Sequence, residues 1–287
     1  MTPANVFITG AGGMLATALE AVLKPVSHVT ALTEAQLDIT DKQAVLRAVQ
    51  GIKPGVIINA AAYTAVDRCE TDMEKAMLVN GTAVGYLAQA AQVTGARIIH
   101  ISTDYLFDGR KDGPYTESDE PNPLSVYGRS KLLGEQVLAR FTDRYVIVRT
   151  QWMYGENGKN FVDTILQLAQ QKDELRVVDD QYGSPTYTKD LAAVIRWFVE
   201  HSEADGQTFH YSNEGVVSWF GFAREILKLS GTKTKLIPVD TAAFPRPANR
   251  PHNSALDKTK IKRVTNIDIR TWFDALYEYM KNTGRIQ

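Results

Sequence analysis

The chain has 287 residues, of which 44% are hydrophobic and 23% charged, and its formal net charge is −1, so it has the composition of a soluble globular protein and no basic excess for nucleic acid. No apolar run reaches the ~20 residues of a membrane-spanning helix, and residues 1–5 lack the features of a signal peptide. The single cysteine, Cys69, excludes an internal disulfide, and the five scattered histidines indicate no zinc cluster. We therefore expect a cytoplasmic protein that binds neither nucleic acid nor membrane.

The first predicted strand, residues 6–9, runs directly into a glycine turn, and a helix follows. The turn reads Gly10-Ala11-Gly12-Gly13-Met14-Leu15-Ala16, a G-x-x-G-x-x-A spacing in which Ala16 replaces the usual third glycine. Strand, glycine turn and helix bring bare backbone N–H groups up to a pyrophosphate. A plain βα turn also favours glycine, but the position of this one after a buried-type strand favours a cofactor-binding turn.

The second predicted strand, residues 29–32, ends near Glu34 with no arginine close by, which favours NAD and is compatible with either NAD or NADP. Thr40 or Asp41 is a plausible N-cap for the next helix. The third strand, residues 55–59, is continuously apolar and empties into Ala60-Ala61-Ala62-Tyr63, whose small side chains let a ligand approach the backbone. In the helix after it, Asn80 is either a satisfied structural amide or a group near the cofactor.

The fourth and fifth predicted strands, residues 96–101 and 145–149, each run into polar or aromatic residues. Ser102-Thr103 follows the fourth strand, and Trp152 follows the fifth soon after its end. Side chains at the carboxyl ends of such strands face the ligand crevice of an open α/β sheet. Strands and helices have then alternated five times, which predicts a doubly wound parallel sheet.

Between these two strands lies Val126-Tyr127-Gly128-Arg129-Ser130-Lys131, at the start of a predicted helix. On a helix, Tyr127 and Lys131 lie one turn apart on the same face. A lysine close to a phenol lowers the pKa of the tyrosine, which can then give or take a proton near neutral pH. The same spacing also occurs by chance on amphipathic surface helices.

The second half of the chain has a looser pattern. It contains predicted helices at 161–171, 188–200 and 269–282, short strands at 206–212 and 235–239, a turn-rich loop at 181–187 and a proline-rich loop at 244–254. The predicted fold class is α/β, a Rossmann-type doubly wound parallel sheet with a smaller mixed α/β substrate-binding domain. We assign 1–150 to the Rossmann domain, with returning segments near 184–204, and 151–183 and 205–287 to the interwoven second domain.

Taken together, these motifs resemble the extended short-chain dehydrogenase/reductase superfamily and, within it, the dTDP-4-dehydrorhamnose reductase family, over nearly the whole chain. The residues that carry the resemblance are Gly10–Leu15, Leu37-Asp38-Ile39-Thr40, Asn59–Asp67, Ser102–Phe107, Val126-Tyr127-Gly128-x-x-Lys131, Gly183-Ser184-Pro185-Thr186 and Arg250-Pro251-x-Asn253-Ser254. Gln151 and His252 depart from the residues usual at their positions.

The resemblance implies NAD(P)H-dependent reduction of the C4 keto group of dTDP-4-dehydro-L-rhamnose to dTDP-L-rhamnose, for cell-surface polysaccharide. Tyr127 would donate the proton, Lys131 would lower the Tyr127 pKa and hold the nicotinamide ribose, and Thr103 would hydrogen-bond the reacting oxygen. A Thr103 hydroxyl that caps its own backbone is the alternative.

The resemblance also implies which residues bind the cofactor and which bind the dTDP-sugar substrate. The cofactor, NADPH or NADH, would contact Gly10, Gly13, Met14, Leu15, Asp38, Ile39, Ala60, Ala61, Ala62, Tyr63, Asn80, Tyr127 and Lys131. The dTDP-sugar would contact Val66, Thr103, Asp104, Tyr105, Trp152, Arg250 and Asn253. No residue is predicted to bind a metal, and whether Mg²⁺ matters and whether the chain is a monomer or homodimer are left open.

The same motifs also bear on three other functions. Nucleotide-sugar 4,6-dehydratases carry a glutamate where this chain has Tyr105, which cannot serve as a carboxylate base. Sugar 4-epimerases usually lack the Thr-Asp-Tyr-x-Phe run that begins at Thr103. Non-catalytic, nucleotide-binding regulatory subunits can retain the tyrosine and lysine, but the intact Arg250-Pro251-x-Asn253-Ser254 loop favours a nucleotide-sugar pocket. Arg250 is either a ligand of the diphosphate or a surface arginine.

Overall fold

The computed structural model describes residues 4–286. Its strands are β1 (Asn5–Thr9), β2 (His28–Leu32), β3 (Val56–Asn59), β4 (Arg97–Thr103), β5 (Tyr145–Thr150), β6 (Met153–Tyr154), β7 (Glu174–Val178), β8 (Tyr182–Gly183), β9 (Thr186–Tyr187), β10 (Gln207–His210), β11 (Val217–Ser218) and β12 (Lys235–Val239).

The helices in that part of the chain are α1 (Met14–Leu23), α2 (Lys42–Ile52), α3 (Val66–Cys69), α4 (Met73–Met77), α5 (Ala83–Thr94), α6 (Val126–Phe141), α7 (Phe161–Ala169), α8 (Thr188–Glu200), α9 (Trp219–Leu229), α10 (Thr259–Thr265) and α11 (Trp272–Asn282). A π-helical turn, Leu78–Thr82, joins α4 to α5. None of these helices is long and apolar enough to cross a membrane.

Six parallel strands form the central sheet in the order β10-β5-β4-β3-β1-β2. The chain moves outward from β1 to β2 and then returns across β1 to β3, so the strand order reverses between β1 and β3. Ligands of doubly wound sheets bind at this switch point, outside the carboxyl ends of the strands. The predicted parallel, doubly wound sheet is confirmed.

The sheet is buried on both faces, which explains why its strands read as continuous apolar runs. Because side chains alternate along a strand, Val6 and Ile8 face the core formed with α1, α8 and α10, whereas Phe7 faces the core formed with α2, α5 and α6. Both cores are closed by helices, as expected for an α/β protein with layers on each side of a sheet.

The edge strand β10 joins the central sheet, although it follows residue 205, where the second domain was predicted to resume. Gln207–His210 pairs in parallel with β5 at the edge of the central sheet, and Ile261 of α10 packs in the core beneath it. Both elements lie in the region assigned to the second domain. The smaller unit has its own core, formed by α7, α9, α11 and the parallel pair β7 and β12.

The helix predicted around Asn80 is interrupted by the π-helical turn. Here α6 packs closely: an added Cβ at Gly81 would lie 2.6 Å from Leu133, and one at Gly134 would lie 2.3 Å from the Asn80 carbonyl oxygen. Small residues on both sides thus allow close approach of the two backbones. The approach brings the Asn80 side chain under the loop that follows β3.

The predicted helix at the Tyr-x-x-x-Lys motif is confirmed as α6. Ser125 is its N-cap, and the Ser125 hydroxyl accepts a hydrogen bond from the Gly128 N–H at 3.1 Å. Glycine is required at 128, because a Cβ there would lie 2.2 Å from the Tyr105 carbonyl oxygen. The first turn of α6 is therefore seated against the segment that leaves β4.

Candidate active site

A cleft of about 530 Å³ opens at the carboxyl ends of β1, β3 and β4. Twelve of the thirteen residues predicted to bind the cofactor line it: Gly10, Gly13, Met14, Leu15, Asp38, Ile39, Ala60, Ala61, Ala62, Tyr63, Tyr127 and Lys131. The structure thus brings together segments that are far apart in the sequence, because parallel strands end at one edge of the sheet.

The glycine turn meets the loop after β3 at backbone contact. Gly10 has φ +73°, and a Cβ there would lie 2.9 Å from the Cα and N atoms of Ala61. The Ala61 N–H donates to the Thr9 hydroxyl at 3.2 Å, which fixes this loop to the end of β1. The crevice therefore presents bare backbone at the start of α1, which fits the pyrophosphate of a dinucleotide.

Asp38 and Thr40 form one wall of the cleft beyond β2. The Thr40 N–H and hydroxyl both donate to Asp38 Oδ1, at 2.8 and 2.7 Å, and the Thr40 hydroxyl is the main cause of a lowered Asp38 pKa. Glu34 and Lys75 also line this end, so carboxylates and an ammonium group face the same space. No arginine is among the lining residues that the structure describes.

Sequence reasoning missed the segment that covers the cleft from the second half of the chain. Met153, Asn157, Gly158 and Lys159 all line it. Gly158 packs so tightly that an added Cβ would lie 2.4 Å from the Met14 side chain. The sequence shows a glycine and an asparagine in a loop there, but nothing local indicates contact with the glycine turn.

Asn80, the thirteenth predicted cofactor residue, is not among the lining residues. It is buried: its Oδ1 accepts from the Tyr63 N–H at 2.8 Å, while Nδ2 donates to the Tyr63 carbonyl and the Ser130 hydroxyl, both at 3.0 Å. Its amide therefore holds the backbone of Tyr63, which does line the cleft. The structural amide considered for this position accounts for all of these contacts.

Tyr127 lies on the wall of the cleft, with its ring packed against a small cluster of Cys69, Ala76 and Val126. Burial raises the pKa of Tyr127 well above its usual value, and the neighbouring Thr103 hydroxyl acts in the opposite direction. The net direction is opposite to the lowering expected from Lys131, because burial is the largest influence on this pKa. A phenol that keeps its proton at neutral pH is suited to donate that proton.

Lys131 lies one turn further along α6 and is 2% exposed. Its Nζ donates to the Ile101 carbonyl at 2.6 Å and is 3.3 Å from His100 Nε2. Burial lowers the pKa of Lys131 to about 8, and the negative charge of Glu135 opposes this shift. The lysine is thus held by β4, and it is still mainly cationic at neutral pH.

Thr103 and Asp104 form a buried polar pair where β4 ends. The Thr103 hydroxyl donates to Asp104 Oδ1 at 3.0 Å and accepts from the Tyr105 N–H at 3.2 Å. This matches the backbone-capping alternative as well as a role towards a ligand. Burial raises the pKa of Asp104 to about 6, so its carboxyl group changes protonation state close to neutral pH.

Arg250 is engaged by an acidic partner that the sequence did not suggest. Its Nη1 and Nη2 donate to the two carboxylate oxygens of Asp67, each at 3.0 Å. Its side chain is 22% exposed and that of Asp67 is 31% exposed. The side chain of Tyr105 also interacts with the guanidinium. Arg250 is therefore not a freely solvated surface arginine.

The other predicted sugar-binding residues lie around this ion pair or beyond it. Asn253 donates to the carbonyls of Lys111 and Gly113, at 2.9 and 2.7 Å, so its amide holds two loops together. Val66 begins α3, directly before Asp67. Neither residue lines the main cleft within residues 4–286.

Trp152 links the sheet to the second unit. Its backbone has φ +45°, a strained conformation for a bulky residue and one that is concentrated at functional sites. Its ring stacks on Trp219 at the start of α9, with centroids 3.5 Å apart and planes 12° apart. The segment after Trp152 is the one that reaches the glycine turn.

No group of three or more His, Cys, Asp or Glu side chains that could hold a metal ion occurs in residues 4–286.

Known proteins of one family are similar to this chain over almost its whole length. A family model for the RmlD substrate binding domain matches residues 4–285. A dTDP-4-dehydrorhamnose reductase of Aggregatibacter actinomycetemcomitans is 43% identical over 95% of this chain and 97% of its own. The spore coat polysaccharide biosynthesis protein SpsK of Bacillus subtilis is 43% identical over 96% of this chain and 97% of its own.

A solved structure of a related protein has the same fold. The dTDP-4-dehydrorhamnose reductase of Bacillus anthracis in complex with NADP superposes with a TM-score of 0.94 and is 37% identical, covering 98% of this chain and 100% of its own.

Proposed function

Because the chain belongs to the family of the RmlD substrate binding domain, we propose that it reduces the C4 keto group of dTDP-4-dehydro-L-rhamnose to give dTDP-L-rhamnose, with NADPH or NADH as cofactor. The observation that carries the proposal is the position of Tyr127 and Lys131 on the wall of a cleft built from the glycine turn and the loop after β3. The product would serve the synthesis of rhamnose-containing polysaccharide.

The residues that would hold the cofactor are the twelve lining residues predicted from the sequence. The bare backbone of Gly10 and Ala61 fits a pyrophosphate, and Lys131, which lines the same cleft, would hold the nicotinamide ribose. When bound, the reduced nicotinamide supplies a hydride to C4 of the sugar. The chain itself has to position the sugar and provide the proton.

Tyr127 is the proposed general acid. The phenol is protonated at neutral pH, and its proton would move to the alkoxide that forms as the hydride reaches C4. The positive charge of Lys131, one turn away, then favours the phenolate that is left. Burial, which disfavours that phenolate, makes this charge important.

Thr103 is the proposed second donor to the same oxygen. Its hydroxyl carries one hydrogen, which in the structure is directed to Asp104. To donate to the substrate, Thr103 has to release Asp104, and protonation of the Asp104 carboxyl, whose pKa is raised to about 6, weakens that competing bond.

Arg250 is the proposed ligand of the substrate diphosphate, with Val66, Asp104, Tyr105, Trp152 and Asn253 completing the sugar side. A guanidinium matches phosphate oxygens as it matches the carboxylate of Asp67, through two parallel hydrogen bonds. In this proposal Asp67 holds the arginine in its extended position until the diphosphate takes over part of the contact.

We expect Arg250→Ala to raise the KM for the dTDP-sugar by roughly 10-fold or more, because a hydrogen bond to a charged group contributes about 1.5–3 kcal/mol. Cofactor affinity should change little. Arg246→Ala is the matched control, because Arg246 lies in the same loop and is exposed. Steady-state kinetics of both variants, measured side by side, test the assignment. An equal or larger effect at Arg246, or a loss of cofactor affinity at Arg250, would contradict it.

The experiment that tests the function is oxidation of NADPH or NADH by the purified protein in the presence of the keto-sugar. It also separates the enzyme from a non-catalytic, nucleotide-binding regulatory subunit, which would bind the cofactor without turning it over. A cytoplasmic location and a monomeric or homodimeric state stay predictions from the sequence.

A further inference from the structure

Behind the wall of the cleft, a row of four buried polar side chains crosses the sheet from β1 to α6. Its members are Thr9, Asn59, His100 and Lys131, each at most 2% exposed. The Thr9 hydroxyl is 2.7 Å from Asn59 Oδ1, Asn59 Nδ2 is 3.0 Å from His100 Nδ1, and His100 Nε2 is 3.3 Å from Lys131 Nζ. Through Thr9, the row also contacts the N–H of Ala61 in the cleft.

His100 is neutral in this environment. Burial lowers its pKa well below the usual value, and the charge of Lys131 lowers it further. A neutral imidazole has one nitrogen that donates and one that accepts. Which nitrogen carries the hydrogen is therefore decided by the partners on its two sides.

An ammonium group at Lys131 determines which group donates and which accepts in each hydrogen bond of the row. It has only N–H donors; one is directed to the Ile101 carbonyl, and a second faces His100 Nε2. Nε2 must then accept, so the hydrogen lies on Nδ1. Nδ1–H needs an acceptor, so the Asn59 amide has to present its oxygen to His100 and its nitrogen to the Thr9 hydroxyl, the reverse of the orientation given above.

The opposite direction fits only an uncharged lysine. If Asn59 donates through its nitrogen to Nδ1, the hydrogen of the imidazole lies on Nε2 and faces Lys131 Nζ, which must then offer a lone pair. A flip of the Asn59 amide exchanges the positions of its oxygen and nitrogen, and so interconverts the two arrangements. The row therefore has one arrangement for each protonation state of Lys131.

We propose that His100, oriented by Asn59, is the positioning residue of Lys131: its Nε2 accepts a hydrogen bond from the lysine ammonium and keeps that group charged and directed towards the cleft. The proposal rests on the reductase function only in so far as Lys131 serves the reduction.

The other titratable groups around Lys131 are Tyr127 and Glu135, both on α6. Glu135 is bound by Arg149 of β5, whose Nε and Nη2 donate to its two oxygens at 3.0 and 2.7 Å. That carboxylate is therefore already neutralised in large part. His100, from β4, is the neutral acceptor that faces the lysine directly.

The direct test of the row is the protonated nitrogen of His100, read by nitrogen-15 NMR of histidine-labelled protein at neutral pH. The signals of His100 are assigned by their loss in His100→Gln. We expect the hydrogen on Nδ1 in the native protein, because the lysine ammonium requires Nε2 as an acceptor. A hydrogen on Nε2 in the native protein would overturn the proposal.

The functional test compares two replacements of His100. Phe fills similar space without an acceptor, whereas Gln retains an oxygen that can accept. Reduction requires the Lys131 ammonium, so kcat/KM falls as the pH rises through the pKa of this lysine. We expect His100→Phe to move this alkaline fall to lower pH by about one unit, the worth of one hydrogen bond to a charged group, and His100→Gln to restore it.

A purely structural role would give a different pattern. Both variants would then lower the melting temperature or kcat without moving the alkaline limb, and that result would contradict the positioning role. If the native protein had no turnover at all, the reductase function would fail, while the NMR measurement would still decide how Lys131 is held.

Discussion

Tyr127→Phe should lower kcat for reduction of the keto-sugar by about 10²-fold or more, the usual contribution of a positioned general acid. The phenol is the proposed proton donor on the wall of the cleft, and burial holds its proton in place by raising its pKa. Phenylalanine keeps the ring that packs against Cys69, Ala76 and Val126, so the fold and the cleft should be preserved.

Cofactor affinity is the control within this variant, and fluorescence titration with NAD(P)H should give a dissociation constant close to that of the native protein. Tyr277→Phe is the matched control variant, because it removes the same hydroxyl group from an exposed residue of α11. Near-native kcat in Tyr127→Phe would rule out the proposed acid, and an equal loss in both variants would show a nonspecific effect.

Gly10→Ala should weaken binding of NAD(P)H by roughly 10-fold to 10²-fold, since forcing extra atoms into a packed site costs about 1–3 kcal/mol. The new Cβ would lie 2.9 Å from backbone atoms of Ala61, and the loop after β3 would have to move away from the turn. That movement changes the distance between the two backbone walls of the cleft.

Gly12→Ala is the control that distinguishes the effect of the contact with Ala61 from the effect of backbone strain. Gly12 has φ +84° and so the same intolerance of a side chain, but an added Cβ there would have nothing within 4 Å among the described atoms. Both variants should lose stability in thermal unfolding, by about 1–2 kcal/mol for the left-handed conformation, and Gly10→Ala should lose more because of its contact with Ala61. Cofactor titration should separate them. Equal affinities for the cofactor in the two variants would show that the contact with Ala61 does not shape the site.

The lining of the cleft was predictable from the sequence because many of its residues follow strands directly. Gly10 comes after β1 and Ala60 after β3, and parallel strands bring both to one edge of the sheet. The spacing of Tyr127 and Lys131 needed only one helix, whose N-cap is also local. Local patterns therefore sufficed wherever one element or one sheet edge fixes the geometry.

Contacts between distant segments were not predictable in this way. The pairing of Arg250 with Asp67, the packing of Gly158 on Met14 and the addition of β10 to the sheet each join parts of the chain that share no local pattern. The lysine was expected to act on Tyr127, but the pKa of that phenol is dominated by burial. Burial depends on everything that surrounds a group, so spacing alone could not supply it.

The most direct measurement of the central claim uses NADPH or NADH that carries deuterium at the transferable position, together with dTDP-4-dehydro-L-rhamnose and the purified protein. We expect cofactor oxidation that depends on the keto-sugar, and a dTDP-L-rhamnose product with deuterium at C4 by NMR and mass spectrometry. Cofactor binding without any oxidation, or oxidation that leaves C4 of the sugar unlabelled, would contradict the proposed function.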